Sequence, residues 1–172
     1  MPELPEVETV CLALSKILIN SRVSNIEIFR KDLRWDVKEN FEVELIHKIL
    51  KKPYRRGKYI LIPTSNAHIL LLHLGMSGTI KIMSKKCHLS KHDHVKIDIQ
   101  TKENKFFSII YNDPRRFGYI DFFSVSKIKN HFLLKKLGVE PLESDFTINY
   151  LQKKIYNKSK CVKNFLMDQS II

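Results

Sequence analysis

Between residues 26 and 124, short apolar segments alternate with turn-forming residues. The segments are rich in the β-branched and aromatic residues that favour strands. Strands that recur about every 8 to 12 residues favour an antiparallel sandwich or barrel over parallel βαβ units. The sequence therefore predicts an antiparallel β-sandwich or barrel. The predicted strands are residues 26–29, 43–50, 59–62, 69–74, 79–83, 95–99, 106–111 and 119–124.

A helical pattern precedes the strands. Over residues 5–19, apolar side chains such as Val7, Val10 and Leu14 keep the spacing of three or four residues that defines one helical face. This spacing predicts an amphipathic N-terminal helix.

Helical patterns also follow the strands. Residues 127–137, 144–156 and 160–171 are predicted as helices, with Ser144 and Ser159 as N-caps. We expect one domain at residues 1–126 and the beginning of a second, helical domain at 127–172. The apolar helical pattern continues to Ile172, so we expect a fragment or a truncated gene product whose uncovered apolar face lowers solubility.

The chain carries a large excess of positive charge, with 30 Lys and Arg against 18 Asp and Glu and a formal net charge of +12. Apolar residues make up 44% of the sequence, which indicates a globular protein. A globular protein with this charge is expected to bind a polyanion. Nucleic acid is the leading candidate.

Neither a membrane span nor a cysteine framework is predicted. No apolar run approaches the roughly 18 residues that a transmembrane helix needs, and the N-terminus is acidic where a signal peptide is basic, so we expect a cytosolic protein. The cysteines Cys11, Cys87 and Cys161 are odd in number, widely separated and outside any C-x-x-C pair. We expect no disulfide and no zinc site, and we predict that Cys11 and Cys161 are core thiols.

The N-terminus carries the main chemical signal. Proline is a small second residue, so we expect removal of Met1, which leaves Pro2 with a free secondary amine. Such an amine titrates at a pH of roughly 8 and attacks carbon at the aldehyde oxidation level to form an iminium. Glu3 is suited to act as a general acid or base, and Glu6 is a supporting carboxylate on the opening turn of the helix. The same residues also make a good helix start, with Pro5 near the first helical position, so both interpretations stay open.

A basic turn at residues 55–58 leads into the predicted strand at 59–62. Such a cluster is most often a solvated loop. A lysine at the mouth of a strand can also reach a phosphate or deliver a proton to a sugar oxygen, which makes Lys58 a candidate site residue.

Two loops carry side chains that are suited to contact with DNA. Met76 lies on a tight turn between Gly75 and Gly78, and Arg115 and Phe117 lie on a turn that an Asp-Pro pair opens. Apolar side chains on such loops can enter a base stack, and guanidinium groups can contact base edges or phosphates. The residue types on these two loops therefore predict a protein surface whose side chains insert into a DNA duplex.

Further candidates for phosphate contact lie just before a predicted strand and near the C-terminus. His92 and His94 form a His-x-His pattern, but without further ligands at suitable spacing, phosphate contact is favoured over metal binding. Several lysines, including Lys158 and Lys163, cluster around a predicted helix junction. They form either a phosphate anchor or a solvated helix face.

Seven short segments occur in the same order as in one known family, and the chain closely resembles bacterial formamidopyrimidine-DNA glycosylase. The resemblance implies an α+β fold, in which an N-terminal helix and an antiparallel β-sandwich precede an incomplete helical domain of the helix–two-turn–helix type. The segments are Pro-Glu-Leu-Pro-Glu-Val-Glu at 2–8, Arg-Gly-Lys at 56–58, His-Leu-Gly-Met-Ser-Gly at 73–78, Lys-His-Asp-His-Val at 91–95, Asp-Pro-Arg-Arg-Phe-Gly at 113–118, Leu-Gly-x-Glu-Pro-Leu at 137–142 and Leu-Met-Asp-Gln at 166–169.

The resemblance also implies a function in base-excision repair. A protein of this kind removes oxidised purines, such as 8-oxoguanine and formamidopyrimidines, from double-stranded DNA and then cuts the strand by β,δ-elimination. By position, Pro2 would be the Schiff-base nucleophile at the sugar C1′, Glu3 the acid that assists opening of the sugar ring, and Lys58 the proton donor in β-elimination. The DNA contacts would be Met76, Arg115 and Phe117 in the gap left by the flipped nucleotide, His92, Arg115 and Lys158 at phosphates or neighbouring groups, and His94 and Lys163 as weaker members.

The resemblance is incomplete, because family members continue through a Gly-x-Gly-Asn turn and a four-cysteine zinc finger. Their zinc ion would lie beyond residue 172, so we expect no cofactor in this chain. We expect a monomer in the bacterial cytoplasm, associated with the chromosome. The alternative is a catalytically impaired DNA-binding remnant of a truncated glycosylase gene. An RNA-binding β-domain is a third hypothesis, but it leaves the N-terminal segment unexplained.

Overall fold

The computed structural model describes residues 2–84, 88–157 and 159–172. These residues form two compact units, Met1–Val125 and Ser126–Ile172. The predicted division into residues 1–126 and 127–172 differs from this division by one residue.

The first unit combines helices with antiparallel sheets. The helices are α1 (Leu4–Leu18) and α2 (Phe41–Leu45), and the strands are β1 (Arg22–Ile28), β2 (Tyr54–Arg56), β3 (Tyr59–Pro63), β4 (His68–His73), β5 (Thr79–Ser84), β6 (Asp93–Gln100), β7 (Phe106–Asn112) and β8 (Tyr119–Ser124). Among the described residues, the strands form two four-stranded antiparallel sheets, in the orders β1-β6-β7-β5 and β2-β3-β4-β8. The predicted α+β class with antiparallel sheets is therefore confirmed.

An apolar core lies between the two sheets. Side chains from both sheets line the same small internal space, including Ile62, Leu70 and Ile120 from one sheet and Val95 and Ile109 from the other. Burial of each such side chain contributes about 1.5–3 kcal/mol relative to exposure. The sandwich is therefore stabilised mainly by its apolar inner faces.

Helix α1 adds one apolar face to this core. Its buried residues recur at intervals of three or four positions, as the sequence predicts. Cys11 is 3% exposed, which confirms its predicted place in the core. The buried residues of this face are Val7, Cys11, Leu14 and Leu18.

The start of α1 is fixed by its own carboxylates. Glu3 is the N-cap residue, and its backbone N–H donates a 2.9 Å hydrogen bond to the Glu6 carboxylate. Together they form a capping box, which satisfies backbone donors that a helix start otherwise leaves unpaired. The helix therefore begins at Leu4 and holds residues 2 and 3 at its N-terminal end.

The register of the strands gathers several loops at one end of the sandwich. In one sheet, Tyr59 at the start of β3, His73 at the end of β4 and Tyr119 at the start of β8 are paired side by side. In the other sheet, Asn112 at the end of β7 is paired with the first residues of β5 and β6. The turn at 57–58, the turn at 74–78 and the loop at 113–118 therefore leave the sheets at the same end.

One strand prediction was wrong. Residues 43–50 were predicted as a strand, but the structure places α2 at Phe41–Leu45 and gives Ile49 and Leu50 only isolated bridges. Phe41 and Leu45 are both buried, whereas Val43 is 75% exposed. A spacing of four residues between buried side chains is the helical period, and it decides the local structure here.

The second unit is less helical than predicted. In place of the helix predicted at residues 127–137, the structure has two 3₁₀ segments, Val125–Asn130 and Leu134–Lys136. Backbone hydrogen bonds there join residues three positions apart, such as Leu137 N–H to Leu134 O. The next helices are α3 (Ile148–Ile155) and α4 (Val162–Leu166), both shorter than predicted.

The predicted N-caps of the second unit were also wrong. The cap of α3 is Thr147, whose hydroxyl accepts a hydrogen bond from Tyr150 N–H, and not Ser144. The cap of α4 is Cys161, and not Ser159. Cys161 is exposed, because it lies outside the helix at an extended position, so its prediction as a core thiol fails.

Within the described residues, no helix combines the length and the apolar character that crossing a membrane requires.

Asp93 is a buried carboxylate at the end of the sandwich where the two turns and the loop at 113–118 leave the sheets. Its Oδ1 accepts 2.7 Å hydrogen bonds from Lys81 Nζ and Asn112 Nδ2, and its Oδ2 accepts one from Ser90 N–H, also at 2.7 Å. Burial alone raises the pKa of Asp93, but these donors outweigh burial and lower the pKa to about 2. The carboxylate thereby joins β5, β7 and the segment that leads into β6.

We predict that Asp93→Asn lowers the free energy of unfolding by about 1–3 kcal/mol at neutral pH, because Lys81 loses its buried carboxylate partner. The folded-state pKa lies below the unfolded one, so the contribution of Asp93 is complete above about pH 4 and is lost as pH falls toward 2. Urea unfolding at pH 7 and near pH 2.5 measures both values. Glu103→Gln is the matched control, because the pair of Glu103 with Lys105 is exposed. A difference between wild type and Asp93→Asn that stays constant down to pH 2.5 would contradict the prediction.

Candidate functional site

Glu3 and Lys58 form an ion pair at the N-terminal end of α1. Lys58 Nζ lies 2.7 Å from Glu3 Oε2, and the Lys58 side chain is 11% exposed whereas that of Glu3 is 51% exposed. The fold thus joins two predicted site residues that are far apart in sequence, and Pro2 is the chain neighbour of one of them. A nitrogen at residue 2, a carboxylate and an ammonium group are therefore combined in one small region.

A second ion pair supports the Lys58 turn. Arg55 Nε donates a 2.8 Å hydrogen bond to Glu8 Oε2 on α1, and Arg55 Nη1 donates one of 2.9 Å to the carbonyl of Gly57. Gly57 has a φ of +55°, which glycine adopts without steric cost. The two hydrogen bonds of Arg55 therefore connect the hairpin between β2 and β3 to α1, the helix that Glu3 caps. The pairing of Arg55 with Glu8 was not predicted, and the only signal in the sequence was that Glu8 belongs to the segment at 2–8 and Arg55 to the basic turn at 55–58.

Met76, Arg115 and Phe117, which the sequence predicts to enter a duplex, lie together in the structure. Arg115 Nη2 is 3.3 Å from Met76 Sδ, and the Arg115 guanidinium carbon is 5.0 Å from the centre of the Phe117 ring. Met76 and Phe117 are each 43% exposed. We call these three side chains the wedge.

The wedge forms part of the wall of an open cleft of about 730 Å³. One part of the wall was not predicted. It comes from the segment between β1 and α2, where Asp32 forms ion pairs with Arg116 and with Arg30. The basic residues around Trp35 were the available signal in the sequence. The lining residues are Asp32, Leu33, Arg34, His73, Gly75, Met76, Arg115, Arg116 and Phe117.

His73 is a second cleft residue that was not predicted as a site residue. Its ring stacks on Tyr59, with the ring centres 4.7 Å apart. Burial, and then the nearby positive charges of Arg34 and Lys58, lower the pKa of His73 to about 4, against an opposing effect of Asp113. The imidazole is therefore neutral at neutral pH.

His92 and His94 have different environments. His92 is half-buried, whereas His94 is 3% exposed and its Nε2 lies 2.7 Å from the carbonyl oxygen of Asp113. The register of β6 against β7 shifts between Asp93 and Val95, which interrupts the alternation that places i and i+2 on one face. We therefore correct the assignment of His94: a buried ring held by a backbone carbonyl is a support of the Asp113 loop and not a DNA contact.

No group of three or more His, Cys, Asp or Glu side chains that could hold a metal ion occurs in residues 2–84, 88–157 and 159–172.

The lysines of the second unit have separate partners. Lys160 Nζ lies 3.0 Å from Asp168 Oδ2, and Lys154 Nζ lies 5.5 Å from the centre of the Tyr150 ring. Lys163 is exposed on α4. Lys158, which was predicted to hold a phosphate, lies outside the described residues.

Comparison with known proteins gives a consistent result. The family model for the formamidopyrimidine-DNA glycosylase N-terminal domain matches residues 1–120. Among curated relatives, the formamidopyrimidine-DNA glycosylase of Bartonella quintana is 42% identical and that of Ruthia magnifica is 44% identical, each over 100% of this chain. The chain spans only 62% and 61% of the length of these two relatives.

Solved structures agree with the sequence relatives. The complex of the Lactococcus lactis enzyme with abasic-site DNA has a TM-score of 0.87 and 30% identity, over 99% of this chain and 62% of that chain. The complex of the same enzyme with DNA that contains an oxidised pyrimidine has a TM-score of 0.86, also at 30% identity. Since the family model matches most of its length, and the relatives match all of it, the chain belongs to the formamidopyrimidine-DNA glycosylase family.

Proposed function

We propose that this chain carries the chemistry of a base-excision repair DNA glycosylase and AP lyase. Its substrate is double-stranded DNA that contains oxidised purines such as 8-oxoguanine and formamidopyrimidines. The observation that carries the proposal is the 2.7 Å ion pair between Glu3 and Lys58 beside residue 2. Family membership supports the reaction type, and the titles of the similar structures name abasic-site and damaged DNA as ligands of those proteins.

In the proposed reaction, the lone pair of the Pro2 amine attacks C1′ of the damaged nucleotide. The bond from C1′ to the base breaks, and the base leaves with the electron pair and takes up a proton. The amine loses its own proton, the sugar ring opens as its oxygen is protonated, and C1′ becomes an iminium carbon. Loss of a C2′ proton then expels the 3′-phosphate, and a further elimination expels the 5′-phosphate.

The ion pair fits the proton transfers that these steps need. In this proposal, Glu3, which is half-exposed at the helix end, delivers a proton to the ring oxygen, and Lys58 acts as the proton donor in β-elimination. The hydrogen bond from Glu3 N–H to Glu6 keeps the N-terminal backbone in one conformation. The reaction requires removal of Met1, because with Met1 attached the Pro2 nitrogen is an amide without an available lone pair.

DNA binding in the proposal rests on the wedge and on positive charge. The wedge fills the gap that a flipped nucleotide leaves, which offsets a few kcal/mol of lost stacking and pairing. His92, Arg115, Lys158 and Lys163 contact phosphates or neighbouring groups. With a net charge of +12, binding is expected to weaken strongly as salt increases.

We further propose that the protein acts as a monomer on the chromosome in the bacterial cytoplasm, in keeping with bacterial relatives. In this proposal the residues assigned here act without a cofactor, because an amine nucleophile and acid–base side chains are the groups that its assigned steps use.

Because His73 is neutral, it offers the DNA a hydrogen-bonding imidazole and not a charge, whereas Arg34 in the same cleft supplies positive charge. The cleft therefore combines charged and uncharged partners for a phosphodiester backbone.

Our first prediction for this function is a covalent adduct. Borohydride added to the chain and a duplex with one 8-oxoguanine is expected to reduce the iminium and join protein to DNA. The adduct should be lost when Met1 is retained and weakened or altered in Pro2→Gly. Denaturing gel electrophoresis measures the adduct.

Pro5→Ala is the matched control, since it removes the other proline of the segment but leaves the terminal amine, and its adduct should match wild type. Folding is checked by circular dichroism, and removal of Met1 by mass spectrometry. A folded chain that begins at Pro2 and forms no adduct, on 8-oxoguanine or on a preformed abasic site, would refute the glycosylase. Salt-sensitive binding in that sample would favour the DNA-binding remnant.

A second prediction concerns His73. Its imidazole resonances should titrate with a midpoint near pH 4, and the set missing from the spectrum of His73→Gln assigns them. As pH falls, His73 is protonated at about pH 6.5 in the unfolded chain but only near pH 4 in the folded chain. The free energy of unfolding therefore decreases as pH falls from about 6.5 to 4. His73→Gln should reduce that loss. A midpoint above pH 6 would contradict the burial argument.

A further inference from the structure

The two loops that carry the wedge are joined beneath it by Ser77 and Asp113. Ser77 Oγ donates a 2.6 Å hydrogen bond to Asp113 Oδ1, and Gly118 N–H donates one of 2.8 Å to Asp113 Oδ2. One carboxylate oxygen therefore holds the loop of Met76, and the other holds the loop of Arg115.

The Ser77 hydroxyl links Asp113 and Arg115 in a closed ring of hydrogen bonds. It accepts a 3.1 Å hydrogen bond from Arg115 N–H while it donates to Asp113. Asp113 is 0% exposed, so its carboxylate has no water to replace these donors if one of them is lost. We call the Ser77 and Asp113 pair the latch.

The backbone of Asp113 also bonds to the segment of His92, which is another predicted DNA contact. Its N–H donates a 3.0 Å hydrogen bond to the carbonyl of His92, and its carbonyl lies 2.7 Å from His94 Nε2. The latch therefore also fixes the segment of His92 relative to the wedge.

Close packing leaves the two loops little freedom to separate. Gly75 has a φ of +60°, and a Cβ at this position would overlap the backbone of Phe117 and Gly118. Above this contact, the Arg115 side chain already touches Met76 and faces the Phe117 ring. The three wedge side chains are thus assembled in the absence of DNA.

We propose that Ser77 and Asp113 are positioning residues that present Met76, Arg115 and Phe117 to the duplex as one preassembled wedge. This inference rests on the proposed function, in which these side chains enter the gap left by a flipped nucleotide. Loops that are ordered separately lose conformational entropy at the moment of binding, whereas joined loops have lost it on folding. The latch therefore makes insertion a single step.

The decisive variant is Ser77→Ala, which removes both hydrogen bonds of the hydroxyl, with Ser77→Thr as the control that keeps a hydroxyl. The first measurement needs no DNA. Amide hydrogen exchange at Arg115 and Gly118 is expected to become at least about tenfold faster in Ser77→Ala and to stay near wild type in Ser77→Thr, with Ile97 in β6 unchanged in both. Unchanged exchange in Ser77→Ala, or equal acceleration in Ser77→Thr, overturns the latch.

The second measurement follows insertion with 2-aminopurine placed opposite a tetrahydrofuran abasic analogue in a duplex. Wild type and Ser77→Thr should give one kinetic phase, and Ser77→Ala should give two phases with an overall rate about tenfold lower.

The two measurements separate the latch from the proposed function. A wild-type chain that forms the adduct but inserts in two phases overturns the preassembled wedge and leaves the glycosylase standing. A folded wild-type chain that neither forms the adduct nor changes the fluorescence overturns the glycosylase and the wedge together, while hydrogen exchange still decides whether the latch joins the loops.

Discussion

The antiparallel register that pairs Tyr59, His73 and Tyr119 across three neighbouring strands determines where the candidate site lies. Because these residues lie side by side, the turn before β3, the turn after β4 and the loop before β8 leave the sheet together. Two of these connections cross to the other sheet at the same end. Lys58 and Met76 therefore lie at the same end of the sandwich through backbone pairing. The apolar core keeps that pairing in place, since a shift by one residue would turn each strand's apolar face outward.

Burial of carboxylates at this end of the sandwich costs free energy, which burial of apolar side chains in the core does not. Asp93 and Asp113 are 5% and 0% exposed, and a buried carboxylate is tolerated only where donors surround it. The donors come from several strands and loops, among them Lys81 and Asn112 for Asp93 and Ser77 for Asp113. Each carboxylate therefore holds several segments together at this end of the sandwich. A chemistry that depends on the position of side chains on loops needs such order.

The strands were predictable because alternation and turn residues are local signals, and seven of the eight predicted strands correspond to strands of the structure. The failures have long-range or competing causes. Residues 43–50 alternate weakly, but burial of Phe41 and Leu45 selects a helix. His94 was predicted as a phosphate contact from the His-x-His pattern, but its ring is buried against the carbonyl of Asp113, which lies on a different loop. Cys161 lies within the helix predicted at residues 160–171, but the helix in the structure begins one residue after it, at Val162.

Sequence by itself determined the antiparallel strands, the amphipathic helix, the excess of positive charge and the chemical candidates Pro2 and Glu3, because each depends on residue type and local spacing. Only the tertiary structure decided the partners: Lys58 for Glu3, His73 and Asp32 as cleft residues, and the buried carboxylate of Asp113 that joins two loops. The physical reason is that a hydrogen bond or an ion pair requires two groups within about 3 Å of each other. Spacing along a single chain does not give that distance for residues on different strands.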